Sequence, residues 1–316
     1  MNTLFVSTTA GTTQNGSAAN PFATLGQAIA AVPYGQGANY TIEMGQGTYA
    51  NTGSLALGFG DNGLTIDGTL SILSAASAVK TILTISNAYN VTINGLTFEN
   101  EAPGVLGSNA AVAILGGGNN TLTSDGFKND YIGLLEEGSG DVIGGPTAGD
   151  GDLFRNITNT AIDVPATTNL LIQKLYIDGG GTGIEIDDGA GITITQADIT
   201  NVGGDGVLVN ENPPTNSNYP NNLTIADSVF TNIGTAGGVY GDFCVIGAGT
   251  NPGWGTLDFI NNSVTQNSAN DRAVILSNAV GAVITGNTFD IANGATSWLL
   301  ETGSSLDVTS PNTIIG

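Results

Sequence analysis

The chain has 316 residues, of which 5 are basic and 27 are acidic, so its formal net charge is −22. Because phosphate groups are bound by cationic side chains, this charge argues against nucleic acids and anionic membranes as partners, and against unassisted binding of polyuronates. The single cysteine excludes an intrachain disulfide.

The first part of the chain, residues 1–38, is predicted to hold one short strand and a capping helix. Asn20 suits the N-cap of this helix and Pro21 its first turn, and an apolar stripe then continues until Pro33 ends the helix. We therefore expect an amphipathic helix over residues 20–32 that covers one end of the fold.

A ten-residue pattern recurs through the rest of the chain, residues 39–316. In each copy apolar and polar residues alternate, as in a short strand with one buried face, and the clearest copies begin at Val91, Leu170, Ile192 and Leu223. A second short strand recurs every 22 or 23 residues, which is the period of a solenoid, and its copies begin at Ile162, Ile184 and Val207.

A repeat this short cannot bury its own apolar face, so each coil must stack on the next, about 4.8 Å away. Residues at equivalent positions of successive coils then form columns. Asn and Asp at the turns are predicted to hydrogen-bond along one such column, with Asn100, Asn129, Asn156, Asp178, Asn201 and Asn232 as its members.

These repeats, together with the Asn-Pro-Phe-Ala-Thr-Leu motif at residues 20–25, resemble the right-handed parallel β-helix superfamily. Its typical members are pectate lyases, polygalacturonases, alginate epimerases and phage tailspikes. The resemblance implies an all-β, right-handed parallel β-helix with a short N-terminal capping α-helix, and it concerns architecture rather than chemistry.

Histidine is absent, which removes the histidine-dependent catalytic sets of several of these enzymes and any Ser-His-Asp arrangement. Lyases of this fold typically use Lys or Arg as the base. Lys128 and Arg155 share one column here, and we expect them at a surface corner, with a catalytic pair as the alternative.

Carboxylates are the better catalytic candidates. Asp163 and Glu185 each lie between two inward apolar residues, so both are expected to point outward from adjacent coils about 5 Å apart, and Asp187 extends the second strand. Such a pair fits a glycosidase, a bound calcium ion, or a solvated polar face.

No organic cofactor is expected, and calcium is the ion that acidic residues of the chain could bind. The candidates for its ligands are Asp150, Asp152, Asp187 and Asp188. Sugar rings could stack on exposed aromatic side chains in the loops, of which we single out Tyr219, Tyr240 and Trp254.

The C-terminal coil has no helix to cover it. Its unpaired strand edge and apolar residues, among them Leu299, Val308, Ile314 and Ile315, predict either a continuation of the chain or self-association through this end.

No run approaches the ~18 apolar residues of a membrane span, and the first residues lack the basic region of a secretory signal. We therefore expect no membrane insertion, and no signal peptide is recognisable. Sparse charge and the absence of a complete catalytic set favour an extracellular surface, adhesive or fibre-forming protein. The alternative is a carbohydrate-active enzyme that uses the outward carboxylates, first as a glycoside hydrolase and second as a polysaccharide lyase.

Overall fold

A computed structural model describes residues 1–103, 109–147, 149–210, 221–236, 241–246, 257–265, 272–277, 280–291, 299–302, 305–307 and 311–315. The chain is almost entirely β, with one α-helix, α1 (Leu25–Ala31), and two short 3₁₀ turns at Gly37–Asn39 and Phe59–Asp61. In this part of the chain no helix has both the length and the apolar character needed to cross a bilayer.

The described residues form the following strands, given in chain order. The first ten are β1 Asn2–Val6, β2 Tyr40–Met44, β3 Gly47–Asn51, β4 Leu55–Leu57, β5 Thr65–Ala75, β6 Leu83–Tyr89, β7 Thr92–Glu99, β8 Val112–Gly118, β9 Thr121–Thr123 and β10 Gly126–Lys128. The next ten are β11 Ile132–Glu136, β12 Val142–Ile143, β13 Leu153–Val164, β14 Thr167–Thr168, β15 Leu171–Gln173, β16 Tyr176–Ile186, β17 Gly189–Thr195, β18 Asp198–Val202, β19 Val207–Asn210 and β20 Asn221–Ala226. The last ten are β21 Val229–Thr231, β22 Gly241–Ile246, β23 Leu257–Ile260, β24 Ser263–Thr265, β25 Arg272–Ser277, β26 Val280–Thr285, β27 Thr288–Asp290, β28 Leu299–Thr302, β29 Ser305–Asp307 and β30 Thr313–Ile315.

Each strand pairs in parallel with the equivalent strand of the next coil, so the chain is a parallel β-helix, as predicted. The expected columns are present: Ile162 pairs with Ile184, which pairs with Val207. Strand β1 pairs with β2 and therefore belongs to the same stack. The structure does not test the division at residue 38.

The core is a set of apolar columns inside the coils. Phe98, Phe127 and Phe154 occupy one column and stack, with ring centroids 5.5 and 4.4 Å apart. All three are fully buried. Phe127 therefore buries its ring against the rings of both neighbouring coils. Such contacts between coils stabilise a repeat that is too short to fold alone.

The predicted Asn ladder is present at one outer corner. Asn201 donates its side-chain amide to Asp178 Oδ1 at 2.8 Å, and Asn232 donates to Asn201 Oδ1 at 2.7 Å. Asn201 and Asn232 have φ of 58°, a left-handed conformation that Asn tolerates better than most residues. Asparagine thus supplies the left-handed conformation that the turn needs, and its side chain is hydrogen-bonded along the ladder.

A second polar ladder lies inside the turns and was not predicted. Its side-chain oxygens accept backbone N–H groups of the preceding coil: Asn262 N donates to Asn287 Oδ1 at 2.7 Å, and Ser228 N donates to Asn262 Oδ1 at 2.9 Å. Asn262 and Asn287 are buried. Sequence patterns alone predict that such residues lie in exposed loops, because a polar residue in a turn is normally solvated.

The N-terminal helix is shorter than predicted. Its N-cap is Thr24, which forms a capping box with Gln27: Gln27 N donates to Thr24 Oγ1 at 3.2 Å, and Thr24 N donates to Gln27 Oε1 at 3.1 Å. Asn20 instead closes a turn, donating its backbone N–H to Ser17 O at 3.0 Å. The expectation that Asn20 starts the helix is therefore wrong.

At the C-terminal end, Leu299 pairs with Val274 and packs against the core, so its side chain points into the coil. Strand β30 pairs with β27, and Ile314 and Ile315 are 53% and 51% exposed, as expected. Val308 lies outside the described residues.

Candidate functional site

The predicted carboxylate column is formed by β13 and β16. Asp163 pairs in register with Glu185 on the next coil, and the flanking Ile162 and Ile184 point into the core. Because adjacent coils lie about 4.8 Å apart, the two acidic residues are direct neighbours.

Only one of the two carboxyls is open to solvent, which corrects the expectation of an exposed pair. Asp163 is 2% exposed, and its partner on the preceding coil, Leu135, is fully buried. This part of the outer face is therefore covered. Glu185 and Asp187 are half-buried and reach solvent.

Glu185 is held by two hydrogen bonds on opposite oxygens. Thr160 Oγ1 donates to its Oε2 at 3.2 Å, and Asn210 Nδ2 donates to its Oε1 at 2.7 Å. Burial raises the pKa of Glu185, and the negative charges of Asp187 and then Asp163 raise it further. Burial also raises the pKa of Asp187. This arrangement favours a Glu185 carboxyl that can hold a proton beside a carboxylate.

A groove of about 390 Å³ lies at the adjacent corner and crosses successive coils. Its walls are short polar and small residues, with one acidic side chain, Glu137, on one side and another, Asp188, on the other; it is lined by Gly117, residues 137–139, residues 166–168 and residues 188–190. Burial raises the pKa of both acids. Sequence reasoning missed Glu137, because its closeness to Asp188 depends on how the coils stack.

The hydroxyl groups of the groove are fixed by short hydrogen bonds. Ser139 Oγ and Thr168 Oγ1 lie 2.6 Å apart, and Thr167 Oγ1 donates to Gly138 O at 2.8 Å. The groove thus presents acidic and hydroxyl oxygens on a rigid wall.

A buried acid pair supports this wall from inside. Glu136 Oε1 accepts Gly138 N at 2.6 Å, and Asp141 Oδ1 accepts Asn120 N at 2.6 Å. Both acids are fully buried, and Glu136 Oε2 and Asp141 Oδ2 lack a donor. Burial raises the pKa of both acids, and the negative charge of Asp141 raises that of Glu136 further.

The predicted calcium residues are only partly available. Asp152 is buried, and its two oxygens accept Asp125 N at 2.8 Å and Gly144 N at 2.9 Å, so the expectation that it is open to a cation needs correction. Asp150 accepts a hydrogen bond from the Thr147 hydroxyl. Among the described residues, no three potential metal-ligating side chains come together. Calcium binding at Asp150, Asp187 and Asp188 stays a prediction.

The remaining sequence predictions lie apart from the groove or outside the described residues. Lys128 pairs with Arg155 as predicted, and Arg155 Nε lies 3.4 Å from Asp178 Oδ2, at the outer Asn ladder. The aromatic candidates Tyr219, Tyr240 and Trp254 lie outside the described residues.

No protein-family model matches the sequence. No curated protein matches it either.

Solved structures do match the fold. The Dettilon tailspike protein (gp208) is 12% identical with a TM-score of 0.61, and the match covers 92% of this chain and 60% of the tailspike chain. The tailspike of E. coli bacteriophage HK620, in complex with a pentasaccharide, is 14% identical with a TM-score of 0.56, over 95% of this chain and 65% of its own. The endo-xylogalacturonan hydrolase from Aspergillus tubingensis is 11% identical with a TM-score of 0.56, and the match covers 99% of this chain and 95% of the hydrolase chain. This chain therefore spans less than two thirds of both tailspike chains.

Proposed function

We propose that this protein is an extracellular surface protein that binds glycans in the groove between Glu137 and Asp188. The observation that carries the proposal is the groove itself, which crosses several coils and combines a largely apolar lining with hydroxyl and carboxyl groups. A rigid stack that carries an apolar groove with a few polar groups is a common arrangement for ligand binding.

The chemistry of the groove selects the class of glycan. Carboxylate and hydroxyl oxygens accept hydrogen bonds from sugar hydroxyl and amino groups, and carboxylates repel anionic sugars. With a net charge of −22, the whole molecule repels polyanions as well. Neutral and amino sugars are therefore the proposed ligands. The pentasaccharide bound by the HK620 tailspike supports glycan binding on this fold.

Calorimetric titration with four hexasaccharides tests this function: cellohexaose, N-acetylchitohexaose, glucosamine hexamer and hexagalacturonate. We expect binding of at least one neutral or amino sugar and none of hexagalacturonate. Asp188→Asn should weaken the binding, whereas Asp198→Asn, an equal charge change on an exposed residue of β18, should leave it unchanged. No binding to any of the four sugars, or binding of hexagalacturonate alone, would reject the proposal.

Glycoside hydrolysis is a second candidate, favoured by the raised pKa of Glu185 beside Asp187. Asp187 follows Ile186, the last residue of β16, and lies two positions after Glu185. Both side chains reach solvent at this end of the strand, and we propose them as the acid and the base of an inverting hydrolase. In this reaction Glu185 donates its proton to the glycosidic oxygen as the bond to the anomeric carbon breaks. Asp187 takes a proton from the water that attacks that carbon. Asp163 acts only by raising the pKa of Glu185.

Release of reducing ends from the same neutral and amino sugars tests the hydrolase. Glu185→Gln should abolish the release with little change in melting temperature, and Asp163→Asn should shift its pH profile to lower pH. Full activity in Glu185→Gln would remove this residue from catalysis. Absence of activity in the unmodified protein would leave binding as the function.

Fibre formation is the third part of the proposed surface role. Ile314 and Ile315 expose apolar surface on β30, which in the described residues pairs only with β27. Such an edge is a template for another strand, and we propose a second copy of the chain as its partner. Light scattering should show concentration-dependent association that Ile314→Lys abolishes, and a strict monomer at every concentration would reject it.

A further inference from the structure

Three aromatic side chains stand exposed on the N-terminal coils. Tyr34, Phe59 and Tyr89 are 82%, 63% and 42% exposed. Sequence analysis singled out none of them. Aromatic rings carry a large apolar area, so leaving three in solvent at one place is costly unless they bind something.

The ring of Tyr34 packs against Gly60, the residue that follows Phe59. A Cβ on Gly60 would lie 2.5 Å from Tyr34 Cδ2, so the Tyr34 ring packs closely over a position that only glycine permits. Gly35 N also donates to Gly60 O at 2.9 Å, which fixes the backbone beside Tyr34. One side of the ring thus contacts backbone, while most of the side chain stays open to solvent.

Tyr89 lies at the same corner on the next coil. Its backbone N–H donates to Asn62 Oδ1 at 2.9 Å, and its carbonyl accepts Gly63 N at 2.8 Å. Asn62 directly follows the 3₁₀ turn Phe59–Asp61. The turn that carries Phe59 and the end of the strand that carries Tyr89 are therefore neighbours.

This corner continues, coil by coil, into the groove. Tyr89 pairs with Gly118, the residue after the groove residue Gly117, and Asn119 N donates to Ser139 O at 2.9 Å. Ser139 in turn pairs with Thr168, and Thr168 with Ala190, all of them groove residues. From Tyr89 to Ala190 there are four coil steps, or roughly 19 Å.

We infer that Tyr34, Phe59 and Tyr89 form a stacking platform that extends the groove, so that the site takes a linear oligosaccharide of neutral or amino sugars. Flat apolar rings match the apolar faces of pyranose rings, and the oxygens of the groove accept hydrogen bonds from the hydroxyl groups of the same chain. The negative charge of the surface excludes anionic polymers. This inference rests on the proposed glycan binding and specifies the length and orientation of the ligand along the stack.

The length dependence of binding tests the platform. The probes are the hexamer that binds tightest among the four named sugars, and the trimer of the same sugar. Tyr89→Ala and Phe59→Ala should each weaken hexamer binding by about tenfold and leave trimer binding unchanged, whereas Asp188→Asn should weaken both. The matched control is Tyr176→Ala, a partly exposed tyrosine on β16 in another column. Circular dichroism and melting temperature confirm that each variant is folded.

The outcomes separate the two proposals. Hexamer affinity that is unchanged in Tyr89→Ala and Phe59→Ala but reduced in Asp188→Asn would overturn the platform and keep the groove. An equal loss of hexamer affinity in Tyr176→Ala would also overturn the platform, because the loss would then not depend on the corner that carries Tyr34, Phe59 and Tyr89. Absence of binding by the unmodified protein would overturn both.

Discussion

At the scale of single residues, the most constrained feature is the buried pair of Glu136 and Asp141 behind the groove. Each acid uses one oxygen to accept a backbone N–H, and each leaves the other oxygen without a donor. Two buried carboxylates side by side would carry a large desolvation and repulsion cost. Burial raises the pKa of both acids, which favours uptake of one proton by the pair, and a shared proton would remove both costs.

Asp141→Asn should therefore make the protein less sensitive to alkaline pH. The amide keeps an oxygen for Asn120 N and places an NH₂ group where Glu136 Oε2 lacks a donor, so no proton has to be taken up on folding. In the unmodified protein the raised pKa values favour the fold at low pH, and this stability is lost as pH rises. Thermal melting from about pH 5 to about pH 9 measures the difference. Identical pH profiles for the variant and the unmodified protein would contradict the shared proton.

At the scale of elements, the inner ladder links successive coils through polar side chains. Asn287 is its best-defined rung: its Oδ1 accepts Asn262 N at 2.7 Å, and its Nδ2 donates to Phe259 O at 2.8 Å. Both partners are backbone groups of the preceding coil. The ladder therefore lets the turn stay buried.

Asn287→Ala should destabilise the C-terminal coils by roughly 2 to 4 kcal/mol, because it removes the side-chain acceptor of the buried Asn262 N–H and one hydrogen bond to Phe259 O. The amide hydrogen of Asn262 should then exchange faster with solvent. Asn156→Gly is the matched control, since Asn156 belongs to the outer ladder, is exposed, and has φ of 55°, which glycine adopts without strain. Equal effects of the two substitutions would show that burial of the inner rung does not matter.

The elements also show how far sequence predicts this structure. Strict alternation around Ile184 and Ile192 predicted the strands and their columns, because the inward side of a coil tolerates only apolar residues. The inner ladder was missed because Asn287 follows a turn, where side-chain burial depends on the neighbouring coil. Glu137 was missed for the same reason, since only stacking brings it to the groove with Asp188.

At the scale of the whole molecule, several buried acids combine to make stability depend on pH. Burial, together with the negative charge of Glu101, raises the pKa of Asp130 to about 8, and burial raises that of Asp152 to about 7. Burial raises the pKa of Glu101 to about 7. Acids whose pKa is raised by folding stabilise the protonated fold, so stability should fall progressively as pH rises from about 4 to about 8. Melting temperatures across this window should decrease, and a maximum near pH 8 would contradict the account.

The net charge of −22 also affects the stability of the whole stack. Self-repulsion destabilises a compact acidic molecule, and a divalent ion that binds the fold offsets it by mass action. Asp187 and Asp188 are adjacent acids that reach solvent, and they are the proposed ligands of one ion, with Asp150 as the candidate ligand of another. We expect millimolar calcium to raise the melting temperature more than sodium chloride of the same ionic strength. Asp187→Asn should reduce the part of this rise in melting temperature that is specific to calcium, whereas Asp198→Asn should not. Equal shifts with the two salts would mean that screening alone stabilises the fold and that calcium has no site of its own.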